Sequence, residues 1–94
     1  MDEFFWETPS EINKNLAKRV KNIRKRKKLT QIQLAERSNV SYGALKKFEQ
    51  TGEISLLSLT KISLELGIAD EIKELFTQVP YRDIQEVVNE AKNT

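Results

Sequence analysis

The stretch that decides the fold runs from residue 29 to residue 49 and reads LTQIQLAERSNVSYGALKKFE. It holds two helix starts in close succession. Thr30-Gln31-Ile32-Gln33 has the form of a capping box, in which a threonine hydroxyl and a glutamine three residues on satisfy each other's backbone amides. The helix it opens spans Gln31–Ser38 and presents Ile32, Leu34 and Ala35. It stops at Asn39, a residue that tolerates the left-handed conformation of a tight turn. Ser41 caps the next helix, Tyr42–Gln50, whose Ala44, Leu45 and Phe48 point inward, and Gly52 ends it. Helices of eight and nine residues joined by a three-residue turn have the spacing of a helix-turn-helix. Ala35 sits where the two helices come closest, Val40 and Leu45 fill the wedge between them, and Leu34 and Phe48 face the core.

Outward from this stretch the punctuation continues. Thr8-Pro9-Ser10-Glu11 is a capping box with proline in the first turn. Behind it Ile12, Leu16, Val20 and Ile23 recur at helical spacing, which predicts an amphipathic helix from Ser10 to about Lys27. Downstream, Ser55 opens a fourth helix with Leu56, Leu59, Ile62 and Leu66 as its stripe, and Gly67 closes it. A short fifth helix runs from Asp70 through Phe76. Pro80 interrupts, and Arg82–Lys92 makes a sixth with Ile84, Val87, Val88 and Ala91 on one face. No segment alternates with period two. The expected fold is all-α: a compact five- to six-helix single domain over residues 1–94, with its core in residues 10–76 and an extension over residues 77–94.

Composition narrows the function. The 94 residues include neither cysteine nor histidine, so disulfides, thiolate metal sites and the commonest general base are absent. The carboxylates fall mostly on expected solvent faces with no convergent pair. We therefore expect no enzyme, no metal and no cofactor. No apolar run approaches the ~20 residues that span a bilayer, and the acidic first residues carry no signal-peptide pattern. The expectation is a soluble cytoplasmic chain with no membrane partner.

Charge is distributed unevenly. Between Lys14 and Lys47 twelve bases face one acid, Glu36, for +11. Residues 1–13 carry −4 and residues 48–94 carry −5, which leaves the net +2. Such asymmetry marks a surface built to meet a polyanion.

With these features assembled, the chain from about Leu16 to Phe76 resembles the phage lambda repressor-like (Cro/CI, XRE) helix-turn-helix family. The residues that carry the resemblance are Ile23-Arg24-Lys25-Arg26-Lys27-Lys28-Leu29-Thr30-Gln31, Leu34-Ala35-Glu36, Val40-Ser41, Leu45 and Phe48-Glu49. More loosely, Phe4-Phe5-Trp6, the run from Phe48 to Ser55 and the Tyr81–Val88 tail are similar to the HipB-like regulators found beside HipA-type kinase toxins. The family often has Glu-Asn-Gly after the third helix, whereas this chain has Glu49-Gln50-Thr51-Gly52, one residue more.

The resemblance implies a DNA-binding regulator whose third helix enters the major groove of double-stranded DNA, a groove wide enough for an α-helix. Tyr42 and Lys47 are then the base-edge readers, with Lys46 at the margin. Gly43 lets the helix approach closely, or is simply a tolerated glycine. Gln31 and Ser41, in or beside the first turns of two helices, suit phosphate oxygens, and Ser41 also suits a plain N-cap. Gln50 joins the DNA-binding set at the far end of the helix. The positions matched by Arg24 and Glu49 form an ion pair in the family, which takes Arg24 off the DNA surface. Of the remaining bases, Lys25, Lys27 and Lys28 are expected to approach phosphates, and Lys14, Lys18 and Lys21 to solvate the outer face.

The ends leave alternatives open. Phe4, Phe5 and Trp6 either pack across the first helix or offer a partner surface. The sixth helix invites dimerisation, and a homodimer reads a palindrome with half-sites about 34 Å apart. The leading reading is a sequence-specific transcriptional regulator, most simply a repressor. An antitoxin that also holds a toxin protein, and a helical protein-interaction module without DNA binding, are the competing readings.

Overall fold

The computed structural model describes residues 7–78 together with Val88, Asn89, Ala91 and Lys92. Over residues 7–78 there are five α-helices in order: α1 Pro9–Arg26, α2 Gln31–Ser38, α3 Tyr42–Thr51, α4 Leu56–Leu66 and α5 Ala69–Glu74. The first four begin at a hydroxyl that accepts from a backbone N–H. Thr8 Oγ1 accepts from Glu11 N at 3.1 Å while Thr8 N donates to Glu11 Oε1 at 2.8 Å. That backbone hydrogen bond holds the Glu11 carboxyl below the usual carboxylate range. Thr30 and Gln33 make the same reciprocal pair, and Ser41 and Ser55 accept from Ala44 N and Ser58 N. The helix ends are equally local. Asn39 (φ 59), Gly52 (φ 83) and Gly67 (φ 75) turn left-handed after α2, α3 and α4.

Four helices and the turn supply one core: Ala17 and Val20 from α1, Leu34 and Ala35 from α2, Val40 from the turn, Leu45 and Phe48 from α3, Ile62 and Leu66 from α4. α1 packs on α3, α2 packs on both α3 and α4, and α5 packs on α4. Val40 and Leu45 are both buried between α2 and α3, where the shape of the turn demands filling side chains.

Several sequence expectations shift. The buried face of α1 is Ala17, Val20 and Arg24, with Leu16 and Ile23 half-buried, whereas Ile12 is exposed. α3 reaches α1 at Asn13–Lys14 through Gly52, and Ile12 lies beyond that crossing. Ile32 is exposed because it sits about 200° round α2 from Leu34. Leu56 is exposed at the edge of the α4 stripe, and Ser63 is buried in its place with its hydroxyl donated to the Leu59 carbonyl. α3 runs one residue longer than expected, to Thr51. α5 starts at Ala69 and stops at Glu74, since Leu75 is extended (ψ 131) and Phe76 is exposed.

Of the sixth helix, Val88, Asn89, Ala91 and Lys92 are helical. The expectations on its Ile84 and Val87, and on Phe4, Phe5 and Trp6, lie outside the described residues. Among the described residues no helix is long and apolar enough to cross a membrane.

Candidate nucleic-acid interface

α3 divides into two faces. Leu45 and Phe48 are buried, while Tyr42, Gly43, Lys46, Lys47 and Gln50 are exposed. At 100° per residue these five span an arc of about 140° opposite the buried pair. The structure therefore brings the expected readers onto one surface. Lys46 Nζ lies 5.9 Å from the centroid of the Tyr42 ring, within cation–π range. The lysine that seemed marginal is thus tied to the neighbouring reader.

Gly43 has no conformational reason to be glycine, because it is not among the residues with positive φ. A Cβ built there would meet nothing within 4 Å. The packing of the chain itself leaves this position open.

Beneath the arc, α3 is tied to α1 and α2. Arg24 Nε donates to Glu49 Oε2 at 2.7 Å and Nη2 donates to Glu49 Oε1 at 3.0 Å, a two-pronged contact with both side chains buried. Arg24 Nη1 donates to the Leu29 carbonyl at 2.7 Å, bracing the turn into α2. Gln31 Nε2 donates to Glu49 Oε1 at 2.8 Å. One amide hydrogen of Gln31 is therefore committed inside the protein, which the sequence reading missed. Its amide oxygen, its second amide hydrogen and the backbone N–H groups of Gln31 and Ile32 remain for another partner, while the Gln33 N–H is taken by the Thr30 hydroxyl. No acidic residue lies in that turn. Ser41 Oγ accepts from Ala44 N at 3.1 Å and so acts as the N-cap, with its hydroxyl hydrogen still available to donate.

The residue added at the end of α3 has a defined place. Thr51 Oγ1 donates to the Lys47 carbonyl at 2.8 Å and accepts from Glu53 N at 3.1 Å. Glu53 is thereby held beside α3, and Lys47 Nζ lies 3.3 Å from Glu53 Oε1 with both side chains exposed. Sequence reading did not find this pair, because five residues, the last of them the left-handed Gly52, lie between its members. An exposed pair of this kind contributes at most about 1 kcal/mol, so Lys47 exchanges it readily for another acceptor. Gly52 then closes against α1: a Cβ there would lie 2.7 Å from Asn13 C and 2.8 Å from Lys14 N.

A family model described as helix-turn-helix matches residues 20–71, from the middle of α1 into α5. A search of curated proteins finds no match. The matched segment covers more than half of the chain and contains both helices and the turn between them, and the chain belongs to the helix-turn-helix family as a DNA-binding regulator of the lambda repressor-like (XRE) type.

Proposed function

We propose that this chain is a sequence-specific transcriptional repressor that binds a palindromic operator as a homodimer, with α3 in the major groove. The observation that carries the reading is the exposed arc of α3, polar and cationic, on a helix locked to α1 by a buried ion pair at the arc's edge. Tyr42 and Lys47 read base edges, with Lys46 held over the Tyr42 ring. Lysine donates to guanine O6 or N7, and the tyrosine ring meets a thymine methyl or donates its hydroxyl. Gln31, Ser41 and Gln50 position the helix on phosphates, which fixes register without conveying sequence. One such module buries only about 600–1,000 Å² on DNA, which favours a second subunit for tight specific binding.

Selection of bound duplexes from a random DNA pool tests this. The expected result is a set sharing two inverted half-sites about 10 base pairs apart. Lys47→Ala should then weaken binding to the selected site by about 1–3 kcal/mol and relax the preference at one base pair per half-site. A selected set with no shared inverted repeat would overturn the operator reading. A reporter placed downstream of the site should fall when the chain is expressed, and a rise would overturn repression.

Gly43→Ala separates a tolerated glycine from one used for approach. With open space around its Cβ, alanine should stabilise the free protein by about 1 kcal/mol in urea unfolding. If α3 sits close to the base edges, the same variant binds the selected site more weakly. Unchanged or tighter binding would mean that no close approach occurs at this position.

A further inference from the structure

The bases of α1 are not spread evenly round it. Lys14, Lys18, Lys21 and Lys25 recur at steps of four, three and four, which places them on one face along about 16 Å of helix. The sequence reading gave the first three to the solvent. In the structure all four, with Asn22 and Gln50, line a groove of about 500 Å³ between α1 and the last turn of α3.

Three observations say what fits there. Among the described residues none of the four lysine ammonium groups makes an ion pair or a hydrogen bond. The acids near the groove sit at its N-terminal rim, where Glu7 accepts from Asn15 and Glu11 lies near Lys14. Glu49 also borders the groove, but its side chain is buried and already engaged by Arg24 and Gln31. Beyond that rim, the positive charge of Lys18, Lys21 and Lys25 has no nearby free carboxylate, and like charges at these spacings repel along a helix. Gln50 belongs both to this groove and to the exposed arc of α3, so the two surfaces are continuous.

We propose that Lys14, Lys18, Lys21 and Lys25 form a second phosphate-binding track, which follows one strand of the duplex away from the recognition helix. A strand runs obliquely to the duplex axis, so its phosphates lie about twice the 3.4 Å axial rise apart, and about 16 Å of lysines covers roughly three of them. The track rests on the DNA-binding reading and adds affinity without sequence content.

The test compares the wild-type chain with the triple variant Lys14→Gln, Lys18→Gln, Lys21→Gln and with a control that loses the same charge elsewhere: Lys61→Gln, Lys73→Gln, Lys92→Gln. Affinity for the selected operator and for a random-sequence duplex is measured from 50 to 200 mM KCl. Each phosphate contact contributes about 0.9 to the slope of log affinity against log salt. The groove variant should have a slope shallower by about 2.7, so that wild type loses roughly 40-fold more affinity over this range. The loss at low salt should be equal on both duplexes, and the control should keep the wild-type slope. Relief of the repulsion along α1 should leave the groove variant at least as thermally stable as wild type, so a loss of affinity is not a loss of folding. A groove variant with the wild-type slope, or one matched by the control, overturns the track while leaving DNA binding by α3 intact. A wild-type chain that binds neither duplex at 50 mM KCl overturns the DNA-binding reading itself.

Discussion

Replacing Glu49 by alanine should lower unfolding free energy by about 3–5 kcal/mol, measured by urea titration. The cost is mainly what the substitution leaves behind. Arg24 is buried, and Glu49 takes two of its three hydrogen bonds. Without the carboxylate the guanidinium stays in a low-dielectric site with only the Leu29 carbonyl for company, and the Gln31 amide loses its acceptor as well. A domain of this size has a total stability of roughly 5–14 kcal/mol, so the loss is a large part of the whole. Arg24→Met with Glu49→Leu should recover much of it, because two apolar side chains leave no stranded charge. The recovery will be incomplete, since the Leu29 carbonyl still loses its donor. A double-mutant cycle therefore expects strong coupling, and additive single effects would show that the pair does not hold α1 to α3.

The same network shows how far the sequence could be read. Helix starts were legible because each is signed locally: Thr8, Thr30, Ser41 and Ser55 cap the helices the sequence predicts, and their partners lie three residues away. Periodicity gives the angle of an apolar face but not the length of the element that covers it. That is why Ile12 and Leu56 read as core and are exposed. Contacts between elements were less legible. No spacing brings Arg24 to Glu49, 25 residues on, and only the family resemblance points there. Nothing in the local sequence draws the Gln31 amide to the same carboxylate, or Glu53 across a turn to Lys47. The lysine face of α1 is visible as a period, yet its meeting with Gln50 depends on how α1 crosses α3.

That crossing is most sensitive at Gly52, where alanine should destabilise the protein by about 2–5 kcal/mol. Two separate costs combine. At φ 83 the residue is left-handed, a conformation that costs an L side chain about 1–2 kcal/mol. The new Cβ would also stand 2.7 Å from Asn13 C and 2.8 Å from Lys14 N. These are backbone atoms in the middle of a helix turn, so no side-chain rotation relieves the clash, and overpacking of this kind costs a further 1–3 kcal/mol or so. Gly67 supplies the comparison. Its φ of 75 imposes the same strain, but its nearest neighbour is the flexible end of Lys27 at 3.9 Å. Gly67→Ala should therefore cost only about 1–2 kcal/mol. Asparagine, which tolerates the left-handed region, should recover most of that loss at position 67 and little at position 52. Equal costs at the two glycines would mean that α3 does not press on α1 at Asn13–Lys14. If the difference holds, the longer ending of α3, Gln50-Thr51-Gly52, seats the helix against α1. Moving that seat shifts Gln50, and with it the junction between the recognition arc and the lysine groove.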